Sequence, residues 1–250
     1  MRTGRSRKCV CALAVLGAVA SAAWTMADDD VLISLEWRPV SQTVRVGDPA
    51  EIGLYAVTDE ETQLFRALDL VFAWDPEVLE LDGLTDTGQL LSSGFPASGD
   101  GGLNEVVPPQ DGDGYYRALA QLGDPIEVTP AGLLITTFEF RALATAASTL
   151  VEILPSGGSP LIETVVWGGP GANTNVTGTL GSAEVTVFCM ECPGDLDGSG
   201  FVDIRDLAEL LAHYGTTSGA VAEDGDLDCD GDVDVSDLAA LLAVYHTSCD

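Results

Sequence analysis

The sequence predicts an all-β jelly-roll sandwich followed by a small all-α domain of two loop–helix units. Two observations lead to this division. Residues 31–188 contain short runs of alternating apolar and polar residues between clusters of Gly, Pro and Asp, which is typical of strands and turns. The last 62 residues contain instead two copies of one acidic pattern, 31 residues apart, each followed by apolar residues at helical spacing.

Residues 1–27 are predicted to be a secretory signal peptide. Four basic residues within the first eight precede an apolar run over residues 10–23, and cleavage after Ala22 or Ala27 would fit the small residues there. This run is shorter than the roughly 20 residues of a membrane span, and a retained signal anchor is the alternative. We therefore expect a secreted protein, extracellular or at the cell surface, with no membrane insertion after cleavage.

The charge of the mature chain restricts its partners. Without residues 1–27, six arginines face 40 carboxylates, a formal charge of −34. Such a field repels nucleic acid and anionic lipid, so neither is an expected partner. Fifteen of the acidic residues lie in residues 189–250 beside a single basic residue, Arg205, and this crowding requires cations to neutralise it.

The region from residue 28 to residue 188 is predicted to be one sandwich of eight or nine strands. Leu68, Leu70, Phe72 and Trp74 alternate with other residues and form one apolar face. Short strands separated by turn residues favour a jelly-roll arrangement. The predicted strands cover residues 31–37, 51–57, 66–74, 115–121, 133–141, 149–154, 161–167 and 183–188.

Three segments of this region resemble cohesin domains. Residues 68–81, LDLVFAWDPEVLEL, are similar to the alternating strand and Asp-Pro turn of that family. Residues 131–140, AGLLITTFEF, are similar to a later strand that a small residue and a glycine open, and residues 46–48 match a Gly-Asp turn. The resemblance implies a module that binds another protein.

The same sandwich is also shared with carbohydrate-binding modules, and fold alone does not choose between the two classes. Sugar-binding modules present aromatic rings on a flat face. Trp74 continues an apolar strand face and is predicted to pack in the core, whereas Trp167, beside two glycines, is the best candidate for an exposed ring. A carbohydrate-binding module is therefore the alternative, with a polysaccharide as its partner.

Residues 195–206 and 226–237 are predicted to be calcium-binding loops, each holding one Ca²⁺. Each has oxygen-bearing side chains at positions 1, 3, 5, 9 and 12 and a glycine at position 6, where the chain must turn sharply. Position 7 supplies a backbone carbonyl in such loops. The candidate ligands are Asp195, Asp197, Ser199, Phe201, Asp203, Asp206, Asp226, Asp228, Asp230, Asp232, Asp234 and Asp237.

Each loop is followed by a predicted helix but preceded by none. Apolar residues recur at i, i+3, i+4 and i+7 from Leu207 and again from Leu238. Two loop–helix units in tandem resemble a dockerin domain over residues 192–249, which implies a cohesin-type protein module as partner. The small hydroxyl pair that often selects the cohesin is replaced at positions 10 and 11 by residues 204–205 and 235–236, IR and VS. This departure puts the binding of familiar cohesins in doubt.

All four cysteines of the mature chain lie in the predicted dockerin domain, residues 189–250. A secreted protein with an even cysteine count favours disulfides over a zinc site, and four cysteines allow three pairings. In two pseudo-symmetric units the chain ends should meet, which favours Cys192–Cys249. Cys189 is then left as the possible partner of Cys229.

No catalytic motif is present in the sequence. His213 and His246 are placed at matching positions near the ends of the two helices, as residues available to the last carbonyls rather than as bases. A glycosidase needs only two carboxylates, but the sandwich resembles cohesin rather than a catalytic module. We therefore predict a non-catalytic assembly protein of a polysaccharide-degrading or cell-surface complex.

Overall fold

The computed structural model describes residues 31–96, 102–120, 125–169, 171 and 174–249. The predicted signal peptide lies outside these residues. In the part of the chain so described, no helix is long and apolar enough to cross a membrane. Strands make up the region up to Phe188, and the remainder contains two short helices.

The strands alternate in burial along their length, as the sequence pattern predicts. Their bounds are β1 Ile33–Arg38, β2 Ser41–Arg45, β3 Pro49–Val57, β4 Gln63–Ala73, β5 Leu79–Asp86, β6 Leu90–Gly94, β7 Asp113–Ala120, β8 Ile126–Val128, β9 Leu133–Ala142, β10 Ala146–Leu154, β11 Ser156–Gly157, β12 Ile162–Glu163, β13 Val165–Gly168, β14 Thr174–Asn175, β15 Thr177–Leu180 and β16 Ser182–Phe188.

Two sheets form the layers of the sandwich. The first has the order β15-β1-β3-β9-β5, and the second has the order β14-β13-β4-β10-β16-β2. In the second sheet β4 also pairs with β7 and β8, and β6 pairs with β7. Most neighbours are antiparallel, but β2 runs parallel to β16, and β15 runs parallel to β1. β11 and β12 form a separate hairpin.

Aromatic rings from both sheets meet in the core between them. Phe138 of β9 lies 5.2 Å from Trp37 of β1, 4.8 Å from Phe72 of β4 and 5.6 Å from Tyr116 of β7, measured between ring centroids. All four side chains are fully buried. Burial of each such side chain contributes about 1.5–3 kcal/mol, so this cluster adds several kcal/mol to the attraction between the layers.

The predicted strands all overlap observed strands, with one division and several additions. The run over residues 161–167 is divided at Thr164, whose hydroxyl accepts from the Val71 N–H at 2.9 Å. The strands that were not predicted are β2, β5, β6, β8, β11, β14 and β15. The burial of β2 alternates only between half-buried and exposed, so it presents no apolar face, and its pairing with β16 holds it in place.

The C-terminal region folds into two short units around a core of its own. Helix α1 covers Ile204–His213, helix α2 covers Val235–Ala243, and a 3₁₀ turn covers Ala222–Asp224. The predicted all-α character is thus limited to these segments, since loops make up most of the region. Its buried core includes the related pairs Val202 and Val233, and Leu210 and Leu241.

The two units exchange backbone hydrogen bonds through position 8 of each loop. Val202 donates its N–H to the carbonyl of Thr247 at 3.0 Å, and Val233 donates to the carbonyl of Thr216 at 2.9 Å. Thr216 and Thr247 each lie just beyond a helix and are themselves 31 residues apart. Each loop is therefore paired with the segment that follows the other unit's helix, which is an approximate two-fold relation.

Two disulfides close this region. Cys192 is bonded to Cys249 with a Cα–Cα distance of 5.6 Å, and Cys189 is bonded to Cys229 with a Cα–Cα distance of 5.7 Å. Both separations lie in the range that a disulfide requires. Both predicted pairings are confirmed, including the closure of the chain ends by Cys192 and Cys249.

Candidate metal centre

The predicted ligands at positions 9 and 12 of each loop also begin the helices. Asp203 is the N-cap of α1 and accepts from the Arg205 N–H at 2.7 Å, while Asp206 accepts from the Asp203 N–H at 2.7 Å. Asp234 and Asp237 form the same capping box at the start of α2. This reciprocal arrangement satisfies amides that a helix N-terminus leaves unpaired, and it fixes where each loop ends.

Loop 1, residues 195–206, brings five predicted positions together. The carboxylates of Asp195, Asp197 and Asp206 each offer an oxygen within 4.8 Å of the others. The hydroxyl of Ser199 lies 3.5 Å from Asp195 Oδ1 and donates to the carbonyl of Phe201 at 3.1 Å. The carboxylate of Asp203, the sixth predicted ligand, is engaged instead by the helix N-terminus.

Backbone amides fold loop 1 around two of these carboxylates. Asp195 accepts from the N–H groups of Ser199 at 2.9 Å and Gly200 at 2.8 Å. Asp206, which is fully buried, accepts from the N–H of Leu196 at 2.7 Å. Gly200 has φ 82°, a left-handed conformation that glycine adopts without steric cost, so the position-6 glycine allows the turn.

Loop 2, residues 226–237, contains two overlapping carboxylate groups. Asp226, Asp228 and Asp237 offer oxygens within 4.8 Å of one another, and so do Asp232, Asp234 and Asp237. Asp237 is fully buried and Asp226 is 2% exposed. The sequence pattern assigned only a backbone carbonyl to position 7. The structure shows that the side-chain carboxylate of Asp232 also lies close to Asp234 and Asp237.

Asp230 is the predicted ligand of loop 2 that stands apart. Its carboxylate is exposed and accepts from the N–H of Asp232 at 3.0 Å. It belongs to neither carboxylate group among the described residues. At position 5, the side chain of Ser199 in loop 1 therefore lies close to another predicted ligand, Asp195, whereas the carboxylate of Asp230 in loop 2 lies outside both carboxylate groups.

Two carboxylate oxygens of loop 2 lack the hydrogen-bond partners that buried polar atoms need. Asp228 Oδ1 and Asp232 Oδ1 are shielded from solvent and have no hydrogen-bond partner among the described residues. Burial raises the pKa of Asp226 and of Asp228, and the neighbouring Asp237 adds to both shifts. Burying unpaired carboxylates is unfavourable. A hard cation would neutralise them, and an all-oxygen donor set fits Ca²⁺.

Each disulfide contacts the first residue of one loop. Cys249 Sγ lies 3.4 Å from Asp195 Oδ2, at position 1 of loop 1. Cys189 Sγ lies 3.3 Å from the carbonyl oxygen of Asp226, at position 1 of loop 2. The two crosslinks therefore restrain the two loops at the same position.

The histidines do not occupy matching positions. His246 lies 31 residues after Gly215 and not after His213, so the sequence-based assignment of equivalent sites is wrong. His213 lies in the last turn of α1, and its Nδ1 is 3.4 Å from Asp224 Oδ1. His246 lies beyond α2, and its backbone N–H donates to the carbonyl of Val202.

The tryptophans of the sandwich are engaged within it. Trp74 is buried and stacks on Phe72 with 5.4 Å between ring centroids, which confirms its predicted place in the core. Trp167 is half-buried, and its indole N–H donates to Asp69 Oδ2 at 3.2 Å. Tyr115 and Arg117 donate to the other oxygen of Asp69, so this polar cluster is satisfied within the fold.

Both helices expose the same apolar stripe. Ile204 and Leu211 on α1 are 62% and 52% exposed, and Val235 and Leu242 on α2 are 63% and 53% exposed. Residues seven apart lie on one helix face, so each pair belongs to a single surface. The near-equal exposures show that the two units present equivalent surfaces to solvent.

No protein-family model and no curated protein matches the sequence. Solved structures similar to the chain include a cohesin module from a Clostridium perfringens family 33 glycoside hydrolase, at 15% identity over 63% of this chain and 97% of that chain, with a TM-score of 0.46. The seventh ScaB type I cohesin of Pseudobacteroides cellulosolvens matches at 10% identity over 62% of this chain and 92% of its own, with a TM-score of 0.44.

A non-cellulosomal cohesin of Archaeoglobus fulgidus matches at 11% identity over 63% of this chain and 91% of its own length, with a TM-score of 0.38. The assignment of the sandwich rests on its own strand order and core. The chain thus joins a two-layered β-sandwich to a small domain of two acidic loop–helix units.

Proposed function

We propose that this chain is a secreted, non-catalytic assembly protein whose C-terminal domain is a dockerin with two bound Ca²⁺ ions. The observation that carries the proposal is the convergence of the carboxylates at positions 1, 3 and 12 in both loops. Asp206 and Asp237 are fully buried, whereas the aspartates of two ordinary solvated turns would be exposed.

The ions would be held in both units by the carboxylates at positions 1, 3 and 12, with different additional oxygens in each loop. In loop 1 these are Asp195, Asp197 and Asp206, with Ser199 and the carbonyl of Phe201 beside them. Loop 2 has Asp226, Asp228 and Asp237, with Asp232 and Asp234 near the last of these. Bound Ca²⁺ supplies the positive charge that neutralises these carboxylates, and the loops position the helices.

The proposed partner is a cohesin-type protein module that docks on the helices. Its binding surface on this chain is the exposed apolar stripe defined by Ile204 and Leu211 on α1 and by Val235 and Leu242 on α2. Because branched apolar residues occupy position 10 in both units, the partner should present an apolar surface there. The two equivalent stripes mean that either unit could make the contact.

A binding experiment with paired substitutions tests this function. The mature chain, residues 28–250, is applied to a panel of cohesin modules with calcium and with EDTA. Leu211→Asp combined with Leu242→Asp should abolish capture, since both equivalent surfaces are then charged. The matched control is Leu161→Asp on the sandwich, where the residue is 68% exposed.

Retained binding in EDTA would contradict the calcium requirement. Retained binding by the double variant would contradict the proposed surface. Capture of no cohesin by the wild-type chain, despite stoichiometric calcium binding, would contradict the proposed partner class.

A further inference from the structure

The β-sandwich holds the beginning of loop 2 but not loop 1. Thr145, between β9 and β10, donates its hydroxyl to the carbonyl of Asp228 at 3.3 Å. Cys189, which follows β16 directly, is crosslinked to Cys229 at position 4 of loop 2. Among the described residues, no hydrogen bond, ion pair or disulfide joins residues 31–189 to residues 195–206.

The junction between the two domains has no free linker. β16 pairs with β2 as far as Phe188 and Arg45, and the Val46 N–H donates to the carbonyl of Phe188 at 2.9 Å. Arg45 Nε donates to the carbonyl of Cys189 at 3.0 Å, so the first residue after the strand is also fixed. Cys189 is only 4% exposed.

Arg45 extends this attachment to the segment before loop 2. Its Nη2 lies 3.7 Å from Glu223 Oε1, three residues before the loop begins. A cavity of about 360 Å³ separates the two domains here, with Arg45 on one side and Asp226 and Asp230 on the other. Residues of both domains thus line one shared cavity beside loop 2.

We propose that loop 2 is a calcium-dependent brace between the two domains. The inference rests on the proposed function, since it requires loop 2 to bind calcium. Thr145 of the sandwich holds position 3 of the loop, and Cys189, itself held by Arg45, crosslinks position 4. Both restraints lower the conformational entropy lost when the remaining ligands close around the ion. Coupling between two equilibria is reciprocal, so calcium in loop 2 in turn fixes the small domain against the sandwich.

Calcium titration of the mature chain tests the first half of the proposal. Asp195→Asn with Asp197→Asn disables loop 1, so that one binding event reports loop 2. In this background, Thr145→Val with Arg45→Gln should weaken calcium binding roughly fivefold, the lower end of typical coupling. Cys189→Ser with Cys229→Ser should weaken it by a larger factor.

The matched control is Thr186→Val, because the Thr186 hydroxyl donates to the carbonyl of Ala147 within the sandwich. This variant should leave calcium affinity unchanged. Hydrogen exchange tests the reciprocal half: in the loop 1-disabled chain, calcium should slow exchange in residues 143–146 and 186–190, and the Thr145 and Arg45 variants should reduce that slowing.

The outcomes separate the two proposals. If the intact chain binds no calcium, the proposed function itself fails. If both loops bind calcium, but loop 2 has the same affinity in every variant and exchange at the junction ignores calcium, only the brace is overturned.

Discussion

His246 occupies in the second unit the left-handed backbone position that Gly215 occupies in the first. Their φ angles are 67° and 91°, and each directly follows a tyrosine at the corresponding helix end. Each also donates its N–H to the position-8 valine of the other loop, His246 to Val202 at 2.9 Å and Gly215 to Val233 at 2.8 Å. The two-fold relation is therefore kept by the backbone although the residues differ.

Glycine is expected to be required at position 215 because of the positive φ angle there, and not because a side chain would clash with its surroundings. A β-carbon there would meet no atom within 4 Å, so Gly215→Ala adds only the strain of a side chain at positive φ. That strain lowers the free energy of unfolding of the small domain by about 1–2 kcal/mol. Urea unfolding in calcium, followed by helical circular dichroism, measures it.

The matched control is Gly83→Ala in β5, where the added β-carbon also meets no atom but φ lies outside the left-handed region. This substitution should not destabilise the sandwich. An equal loss of stability in the two variants would contradict the conformational explanation.

Removal of calcium is expected to unfold the small domain selectively. Fifteen acidic residues among its 62 repel one another without a cation, so the binding energy of the ions is part of its folding energy. With EDTA, the amides of α1 and α2 should lose protection from hydrogen exchange while those of β4 keep theirs. Unchanged protection of both helices on chelation would refute this prediction.

Loop 2 is expected to bind calcium more tightly than loop 1. Five carboxylates stand at its predicted ligand positions 1, 3, 5, 9 and 12, against four in loop 1, where Ser199 is neutral. Ser199→Asp should therefore strengthen loop 1 binding by about tenfold, since affinity follows the number of charged ligands. Calcium titration with loop 2 disabled by Asp226→Asn and Asp228→Asn measures this.

The control for that substitution is Ser218→Asp, which adds the same charge at an exposed residue outside both loops. A gain in affinity as large as that of Ser199→Asp would show that overall charge, and not ligand number, is responsible.

Tyr115 is expected to make the sandwich sensitive to alkaline pH. Burial, with the hydrogen bond to Asp69, raises the pKa of Tyr115 above its ordinary value of 10.0. The folded state then holds the proton more tightly than the unfolded state. Its stabilising contribution is complete below pH 10 and is lost as the pH rises from there towards the folded-state pKa.

Tyr115→Phe removes this group, so its free energy of unfolding should fall less between about pH 9 and pH 11 than that of the wild type. Tyr116, whose pKa burial raises to about 12, is present in both proteins and cancels in the comparison. Parallel pH profiles from urea unfolding would contradict the prediction.

Most strands with an apolar face could be predicted from the sequence, although β5, whose Leu79 and Leu81 are fully buried, was missed. The alternation of Leu68, Leu70 and Phe72 identifies β4, because those side chains are all fully buried in the core. β2 carries no such signal, since its order comes from hydrogen bonds to β16, more than 130 residues away. The alternation of apolar and polar residues indicates which side chains are buried. It carries no information on backbone hydrogen bonds between strands.

The two acidic loops could be located from the sequence because their carboxylates are close together in it. The offset of 31 residues gave the loop positions, and the pseudo-symmetry of the units gave Cys192–Cys249, which left Cys189 as the possible partner of Cys229. The contribution of the sandwich to loop 2 was not predictable: Thr145 and Arg45 are single polar residues at strand ends, far from residues 226–237 in the sequence. The carboxylate of Asp232 was missed because the loop pattern assigns only a carbonyl to position 7.

Cys189 of the small domain follows Phe188 of the sandwich directly, so no linker sets the distance between the two domains. A flexible linker of n residues lets a tethered module explore a distance of roughly 5–6 Å times the square root of n. Here n is zero, so a partner bound to one domain would have one fixed position and orientation relative to a partner bound to the other. The effective concentration of the second partner then depends only on the fixed arrangement of the two domains. It is high when that arrangement lets both partners bind at once, and negligible when it does not. Assemblies built with such a chain would have defined angles at each joint.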